Sequence, residues 1–261
     1  MAKTPKDPEQ VRMSFAAHLE ELRSRIFRGI LLIGVLFVAC FGFSGHVRGI
    51  FMFPWEQMRT ALAADGIEVN ALGAGSATAG IFFSVKTALI VSVLFGFPYL
   101  LYQIWAFVAA GLYPQERKVV FRFLPAGMAL GVAGILFGYF FMIPMVLEFL
   151  LRHNKSFGLV DYYTIDQYFS FFMLLTIALA LVFQLPLILM GLGAAGIVDA
   201  KTLRKYRRHF ILGAFVLGAF LTPPDPVSQI MMAAPTVVLY EVGILLVAWR
   251  GRPKKAEDAP A

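Results

Sequence analysis

The side chains able to do chemistry in this chain are few, and the prominent ones are carboxylates standing beside arginines. Glu21 precedes Arg25 by four residues, the spacing that pairs a carboxylate with a guanidinium on one helix face, and Arg23 lies between them. Glu116 sits among Arg117, Lys118 and Arg122. On pattern alone Glu21 and Arg25 read as an i,i+4 pair on an amphipathic helix lying on the membrane, and Glu116 as part of a solvated surface pair contributing about 0–1 kcal/mol. Two further polar groups stand inside long apolar runs: Gln184 in Val-Phe-Gln-Leu-Pro and Glu241 in Leu-Tyr-Glu-Val-Gly. An amide there predicts a hydrogen bond between helices. A carboxylate there must face protein, a wet cavity or the head groups. Bond-breaking chemistry is not supported. His18, His46, His153 and His209 are isolated, with no H-E-x-x-H, no G-x-S-x-G and no G-x-x-x-x-G-K-[ST]. Hydrolytic and nucleotide-driven pump classes are therefore not expected, nor is any enzyme activity, cofactor or metal. Cys40 is the sole cysteine, so neither an intramolecular disulfide nor a cysteine metal site can form.

These groups are carried by a chain of 261 residues that is 59% hydrophobic and 15% charged. Soluble domains run at about 45–50% and about 25%. The excess implies that lipid is part of the solvent, and it excludes intrinsic disorder and fibrous classes. A membrane helix needs roughly 20 apolar residues. Six such helices are predicted, at about Ile26–Phe43, Thr87–Val108, Leu124–Leu147, Tyr168–Met190, Phe210–Thr222 and Ser228–Trp249. The predicted fold is all-α. The fifth span is the exception, since its length reaches only roughly 20 Å against a core of about 30 Å. The run Thr222-Pro223-Pro224-Asp225-Pro226 then forces a turn, with Asp225 or Ser228 expected to cap the last helix. Glycines 127, 131, 134 and 138 give two G-x-x-x-G spacings on the third span, which predict close helix packing.

Charge gives the orientation. Of the 23 Lys and Arg residues, 18 fall in residues 1–28, the 111–122 and 196–209 loops and the tail from Arg250, and five on the other side. The basic side is cytoplasmic by the positive-inside rule, so both termini are expected inside and the number of spans even. The net charge of +7 then reports topology, and no nucleic-acid partner is expected. Residues 1–25 do not read as a signal peptide, so the mature protein is expected to start there; they form a cytoplasmic amphipathic segment, with Asp7-Pro8-Glu9-Gln10 resembling a capping box. Residues 26–249 form one membrane domain, and residues 250–261 read as a disordered cytoplasmic tail. On the outer side, Pro54 is placed at the first turn of an interfacial helix running to about Leu62. A secondary transporter for a small solute is the other class such a chain could serve. The lack of an inverted repeat and the scarcity of midplane charge weigh against it.

Several stretches, in order along nearly the whole chain, resemble the TatC family, the multi-span component of the twin-arginine protein translocase. They are His18-Leu19-x-Glu21-Leu22-Arg23-x-Arg25, then Tyr102-Gln103-x-Trp105-x-Phe107 leading to Leu112-Tyr113 and Glu116-Arg117. Phe137-x-Tyr139-Phe140 with Pro144 and Phe183-x-x-Pro186 follow. Thr222-Pro-Pro-Asp225-x-x-Ser228-Gln229 and Leu239-Tyr240-Glu241 complete the set. Each alone is weak and the ordered set is specific.

The resemblance implies a receptor for signal peptides of folded cargo and an assembly core for export driven by the proton-motive force. It implies a concave, glove-like bundle in the bacterial inner membrane. The partners it implies are twin-arginine signal peptides, the single-span proteins TatA and TatB, and other copies of the chain within the receptor complex. By the same resemblance Glu21 and Glu116 receive the signal arginines, because a carboxylate can take a planar guanidinium in a two-pronged bond that Lys cannot make. Arg23 and Arg25 are their structural partners at that signal-binding site. Gln184, where many relatives have Glu, and Glu241 are implied in an intramembrane site for the single-span partners. Gln184 cannot titrate, which removes a proton relay from that position. Ala110 replaces a common family Pro. Pro54, Phe83, Lys86 and the Thr222–Gln229 turn are structural.

Overall fold

The computed structural model describes residues 15–111, 114–159, 162–194, 196–222 and 225–250. The readings at Asp7–Gln10, Leu112-Tyr113, Pro223-Pro224 and beyond Arg250 lie outside them. The described residues are almost wholly helical, with one isolated bridge between Gly73 and Thr164. Among the described residues, five helical stretches are long and apolar enough to cross a membrane: Ala16–Gly42, Ala79–Ala110, Phe121–Ser156, Ile165–Ala194 and Pro226–Trp249.

Helix α1 (Phe15–Gly42) carries residues 15–25 of the polar N-terminal stretch and the first apolar run in one unbroken rod. Phe43 links it to α2 (Ser44–Ala64). Helix α3 (Ala79–Ala110) runs back along α1. Glycine permits the close approach, since a Cβ on Gly96 would strike Ile33 and one on Gly29 would press on Leu100. Helix α4 (Pro114–Phe137) passes through a π segment, Gly138–Met142, into α5 (Ile143–Ser156). The predicted fourth span is broken into α6 (Ile165–Val182) and α7 (Leu185–Ala194), with Phe183 and Gln184 at the break. The break falls in the turn before Pro186, which has no N–H to offer the carbonyl four residues back, that of Val182. Helices α8 (Ala200–Lys205), α9 (Arg207–Leu221) and α10 (Pro226–Arg250) complete the chain. Helix α9 has 15 residues, roughly 22 Å of rise, so it is short as its sequence predicts.

Pro54 does not start a helix. It lies well inside α2, one face of which packs into the core. Val47, Phe51, Pro54, Trp55, Met58 and Leu62 recur at helical spacing and are all buried. Phe51 is enclosed by Phe83, Tyr168, Phe169 and Phe172 at centroid distances of 4.5–5.6 Å. Such aromatic pairs contribute about 0.5–1.5 kcal/mol each beyond burial.

An internal proline frees the carbonyl four residues before it, and in lipid that carbonyl needs another donor. Pro54 frees the carbonyl of Ile50, and Tyr139 Oη donates to it at 2.6 Å. Pro144 frees the carbonyl of Phe140, and Gln57 Nε2 donates to it at 3.4 Å. Helix α2 and the π segment thus cap each other's proline gaps. Tyr168 Oη adds a bond of 2.9 Å to the carbonyl of Phe51. Tyr139→Phe is expected to lower stability by about 0.5–1.5 kcal/mol, read as a fall in melting temperature in detergent with the helical content unchanged. An unchanged melting temperature would show that the Ile50 carbonyl is satisfied without the phenol.

The end of the bundle remote from Glu21 is tied by ion pairs. Lys86 Nζ lies 2.7 Å from Asp166 on α6. Arg152 on α5 pairs with Glu148 and with Asp65 at the end of α2. At the corner before α10, Asp225 Oδ1 accepts from the backbone N–H of Ser228 at 2.7 Å, a helix cap ahead of which Pro226 takes the first turn. Thr222 Oγ1 donates to the Gly218 carbonyl at 2.9 Å, and Gln229 Nε2 donates to the Phe215 carbonyl at 2.8 Å. Gln229 therefore ties α10 to α9, while Thr222 and Asp225 cap the helix ends on either side of the corner. Pro223 and Pro224 themselves are outside the described residues.

Candidate functional site

The start of α1 and the end of α3 meet at the basic end of the bundle. Glu21 and Arg25 share one face of α1, as their spacing predicts. Arg25 Nε donates to Glu21 Oε1 at 3.0 Å, Arg25 Nη2 reaches the same oxygen, and Arg25 Nη1 donates to Gln103 Oε1 on α3 at 3.2 Å. The two charged side chains are only 19% and 20% exposed. The i,i+4 pair is thus partly buried against α3. Removing one member of such a pair leaves a desolvated charge behind.

Beside the pair, the His18 ring stacks on Phe107 at 4.3 Å with 15° between planes. Two polar atoms here are buried without a hydrogen-bond partner among the described residues, Glu21 Oε2 and His18 Nδ1. An ionised carboxylate has roughly four acceptor positions, so Oε2 can still take a donor. Arg23, between the paired residues, is exposed. Glu116 occupies the first turn of α4, where the positive end of the helix favours an acid. Its side chain lies outside the described residues. From this acid and arginine pair an apolar groove of about 650 Å³ runs along α1 and α3, lined at its polar end by Arg25 and Gln103 and deeper by Ile33 and Phe37.

The other two polar residues do not share one site. Gln184, at the break between α6 and α7, is 4% exposed. Its Nε2 donates to the Gly127 carbonyl of α4 at 3.1 Å, while its Oε1 has no partner among the described residues. This is the bond between helices that an amide in a span predicts. Gly127 and Gly131 make room for it, because a Cβ on either would meet Leu187, Phe97 or Gln184 itself. Glu241 lies on α10 and takes a two-pronged bond from Arg207 at the start of α9, Nε to Oε1 at 2.6 Å and Nη2 to Oε2 at 2.7 Å. Next to it Tyr240 stacks on Phe210 at 3.8 Å and donates to the Leu203 carbonyl at 2.8 Å. The acid is thus neutralised at the basic end of the bundle, with 37% of its side chain exposed.

Sequence reasoning did not assign Gln103, His18 and Phe107 to the site, nor Arg207 as the partner of Glu241. All but Arg207 stand in the stretches quoted above. Their roles depend on contacts between helices, which spacing along one helix does not reveal.

This fold and these sites define a multi-span, all-helical membrane protein with a partly buried acid–arginine site at its basic end. The family model described as Sec-independent protein translocase protein (TatC) matches residues 17–235. Among curated relatives, Sec-independent protein translocase protein TatCy of Bacillus subtilis is 34% identical over 235 residues, covering 90% of this chain and 89% of its own. The TatC protein of Azotobacter chroococcum is 33% identical over 252 residues, covering 95% of each. A crystal structure of the twin arginine translocase receptor TatC superposes with a TM-score of 0.72 at 32% identity, covering 89% of this chain and 98% of that one. The chain belongs to the TatC family. It is a multi-pass membrane component of twin-arginine protein transport.

Proposed function

We propose that this chain is the signal-peptide receptor and assembly core of a twin-arginine translocase. It sits in a bacterial cytoplasmic membrane with six spans and both termini inside, and serves transport driven by the proton-motive force. The observation that carries the receptor reading is Glu21, a partly buried carboxylate with one oxygen paired to Arg25 and the other without a partner among the described residues. A guanidinium arriving at that oxygen would form a charge-assisted hydrogen bond in a place where Lys lacks the planar fork. Glu116, at the start of α4, is the second acid for the arginine pair. The solved relative described as a twin arginine translocase receptor supports the same reading. The sixth span is α9, whose shortness would be met by a bilayer thinned around it. The concentration of Lys and Arg at one end supports the orientation.

The deciding experiment is binding of labelled peptides to the purified full chain in lipid nanodiscs. A peptide with an Arg-Arg pair is expected to bind tighter than its Lys-Lys twin and to crosslink near Glu21 and Glu116. Equal capture of both peptides would sink the receptor assignment.

Single-span partners of the TatA and TatB type, and further copies of this chain, are the proposed assembly partners. Gln184 is enclosed in this arrangement, so its effect on such partners would act through the packing of α4 against α7. Glu241 would act through the α9–α10 pair it anchors. Gln184→Leu is expected to reduce co-purification of the single-span proteins several-fold while leaving peptide affinity within about twofold, a loss on the scale of one membrane hydrogen bond. Unchanged co-purification removes Gln184 from partner binding.

A further inference from the structure

The eight residues from Lys201 to Arg208 carry five of the chain's 23 Lys and Arg residues, and the segment 200–222 contains no acid. The acids closest at hand are engaged. Asp199 Oδ1 accepts from the Thr202 N–H at 2.7 Å, and Glu241 takes both prongs of Arg207. Lys201, Arg204 and Arg208 are exposed and form no ion pair among the described residues, and Lys205 lies over the ring of Tyr206 at 5.9 Å. At the opposite end of the bundle, Arg59, Lys86 and Arg152 each have a carboxylate partner.

The cations are held together by the packing of α8. Leu203 is buried in one cluster with Tyr240 and Ile244, and Tyr240 Oη donates to its carbonyl at 2.8 Å, which fixes α8 to α10. With Leu203 turned inward, Lys201, Arg204 and Lys205 stand together by their three- and four-residue spacing, an arrangement in which like charges destabilise a helix. An outside anion relieves that repulsion. Its chemistry is marked by what borders the cations. One turn on from Arg208, α9 exposes Leu212, then Val216 and Phe220 at four-residue steps. Tyr206 and, on the last turn of α10, Trp249 are exposed at the same end, as aromatic side chains are at the head-group level. A cationic patch bordered by aromatic rings and an apolar helix face fits an amphiphile rather than a free ion or a soluble polyanion. We infer that α8 and the start of α9 bind the head groups of anionic phospholipids, with lipid phosphates meeting Arg204 and Arg208 in charge-assisted hydrogen bonds and Lys201 and Lys205 adding point charge. This surface is separate from the receptor reading and does not depend on it. Head groups held at Arg208 also sit where the short α9 begins, so the same contact fits the bilayer to that helix.

The test is native mass spectrometry of the full chain released from nanodiscs of phosphatidylglycerol and phosphatidylcholine in equal parts, with identical acyl chains. The parent chain is expected to retain phosphatidylglycerol about tenfold over phosphatidylcholine, the scale of a basic residue or two at a membrane surface. Combining Lys201→Gln, Arg204→Gln, Lys205→Gln and Arg208→Gln is expected to bring retention to within about twofold of parity, with the melting temperature in detergent not lowered. Arg204→Lys with Arg208→Lys keeps the charge and is expected to lose no more than about threefold of the preference. A control with Arg28→Gln, Arg117→Gln, Lys118→Gln and Arg122→Gln removes as many cations from the same end and is expected to keep the preference. A preference intact in the first combination overturns the inference. So does an equal loss in the control, which would trace the effect to the net charge of that end. The parent chain supplies a check that needs no variant: inorganic phosphate and a soluble polyglutamate peptide are expected to leave the phosphatidylglycerol bound. Displacement by either would overturn the lipid assignment in favour of a free anion or an acidic protein segment.

Discussion

Glu21→Gln is expected to weaken capture of an Arg-Arg peptide by tenfold or more, with a smaller change for its Lys-Lys twin. The substitution keeps the shape of the side chain and one oxygen. It removes the charge, and with it the charge-assisted bond that Oε2 offers. Hydrogen bonds to charged groups contribute about 1.5–3 kcal/mol, and each 1.4 kcal/mol is a factor of about ten in affinity. A second loss adds to the first. Arg25 is about one-fifth exposed and would be left without its counter-charge, so the substitution also places an unbalanced cation where the peptide's own cations must come. Anisotropy titrations on nanodisc-embedded chain measure the effect, and the melting temperature of the variant reports whether the helices remain assembled. A folded variant with parental affinity would remove Glu21 from recognition.

The largest loss of stability is expected at Gly134. A Cβ there would lie 2.7 Å from Phe183 Cγ and 2.9 Å from the backbone oxygen of Leu179. A side chain can turn away, but the α6 backbone can yield only by moving the helix. Gly134→Val should therefore push α4 from α6, costing about 1–3 kcal/mol by overpacking, and more if the Gln184 bond to Gly127 is pulled apart with it. The control is Gly213→Ala on α9, where an added Cβ meets nothing within 4 Å. Replacing Gly by Ala in an open helical position is favourable by about 1 kcal/mol. Melting temperatures in detergent should therefore move in opposite directions for the two variants. Two parallel shifts would mean that α4 and α6 are not packed as described.

Much of this was legible before any coordinates. Apolar runs locate the long helices, the glycine spacings on α4 announce its close contact with α6 and α7, and Thr222–Gln229 reads as a turn with a cap. What was misread shares one cause. Pro54 looked like a helix start because an internal proline leaves a carbonyl unsatisfied, and its remedy, Tyr139, lies 89 residues from Ile50 in sequence. The burial of the Glu21–Arg25 pair was not legible because Gln103, which bonds Arg25, lies 78 residues further on. Local spacing states what a residue needs, and only the packed bundle shows which distant residue supplies it. The second acid, Glu116, was legible as a charge among cations, but the sequence placed it in the 111–122 loop, whereas α4 already begins at Pro114.

Helix α1 is the least buried of the helices long enough to cross a membrane, and it rests chiefly on α3. In water, peeling such a rod away would expose apolar surface and be opposed strongly. In a bilayer the exchange is of one hydrocarbon neighbour for another, and no comparable force resists it. The hold on α1 then comes from interlocking at Gly29 and Gly96, and from a handful of polar contacts at one tip. A swap of hydrogen-bond partners at Arg25, trivial in a soluble core, becomes a sizeable share of everything that sets the inclination of the helix.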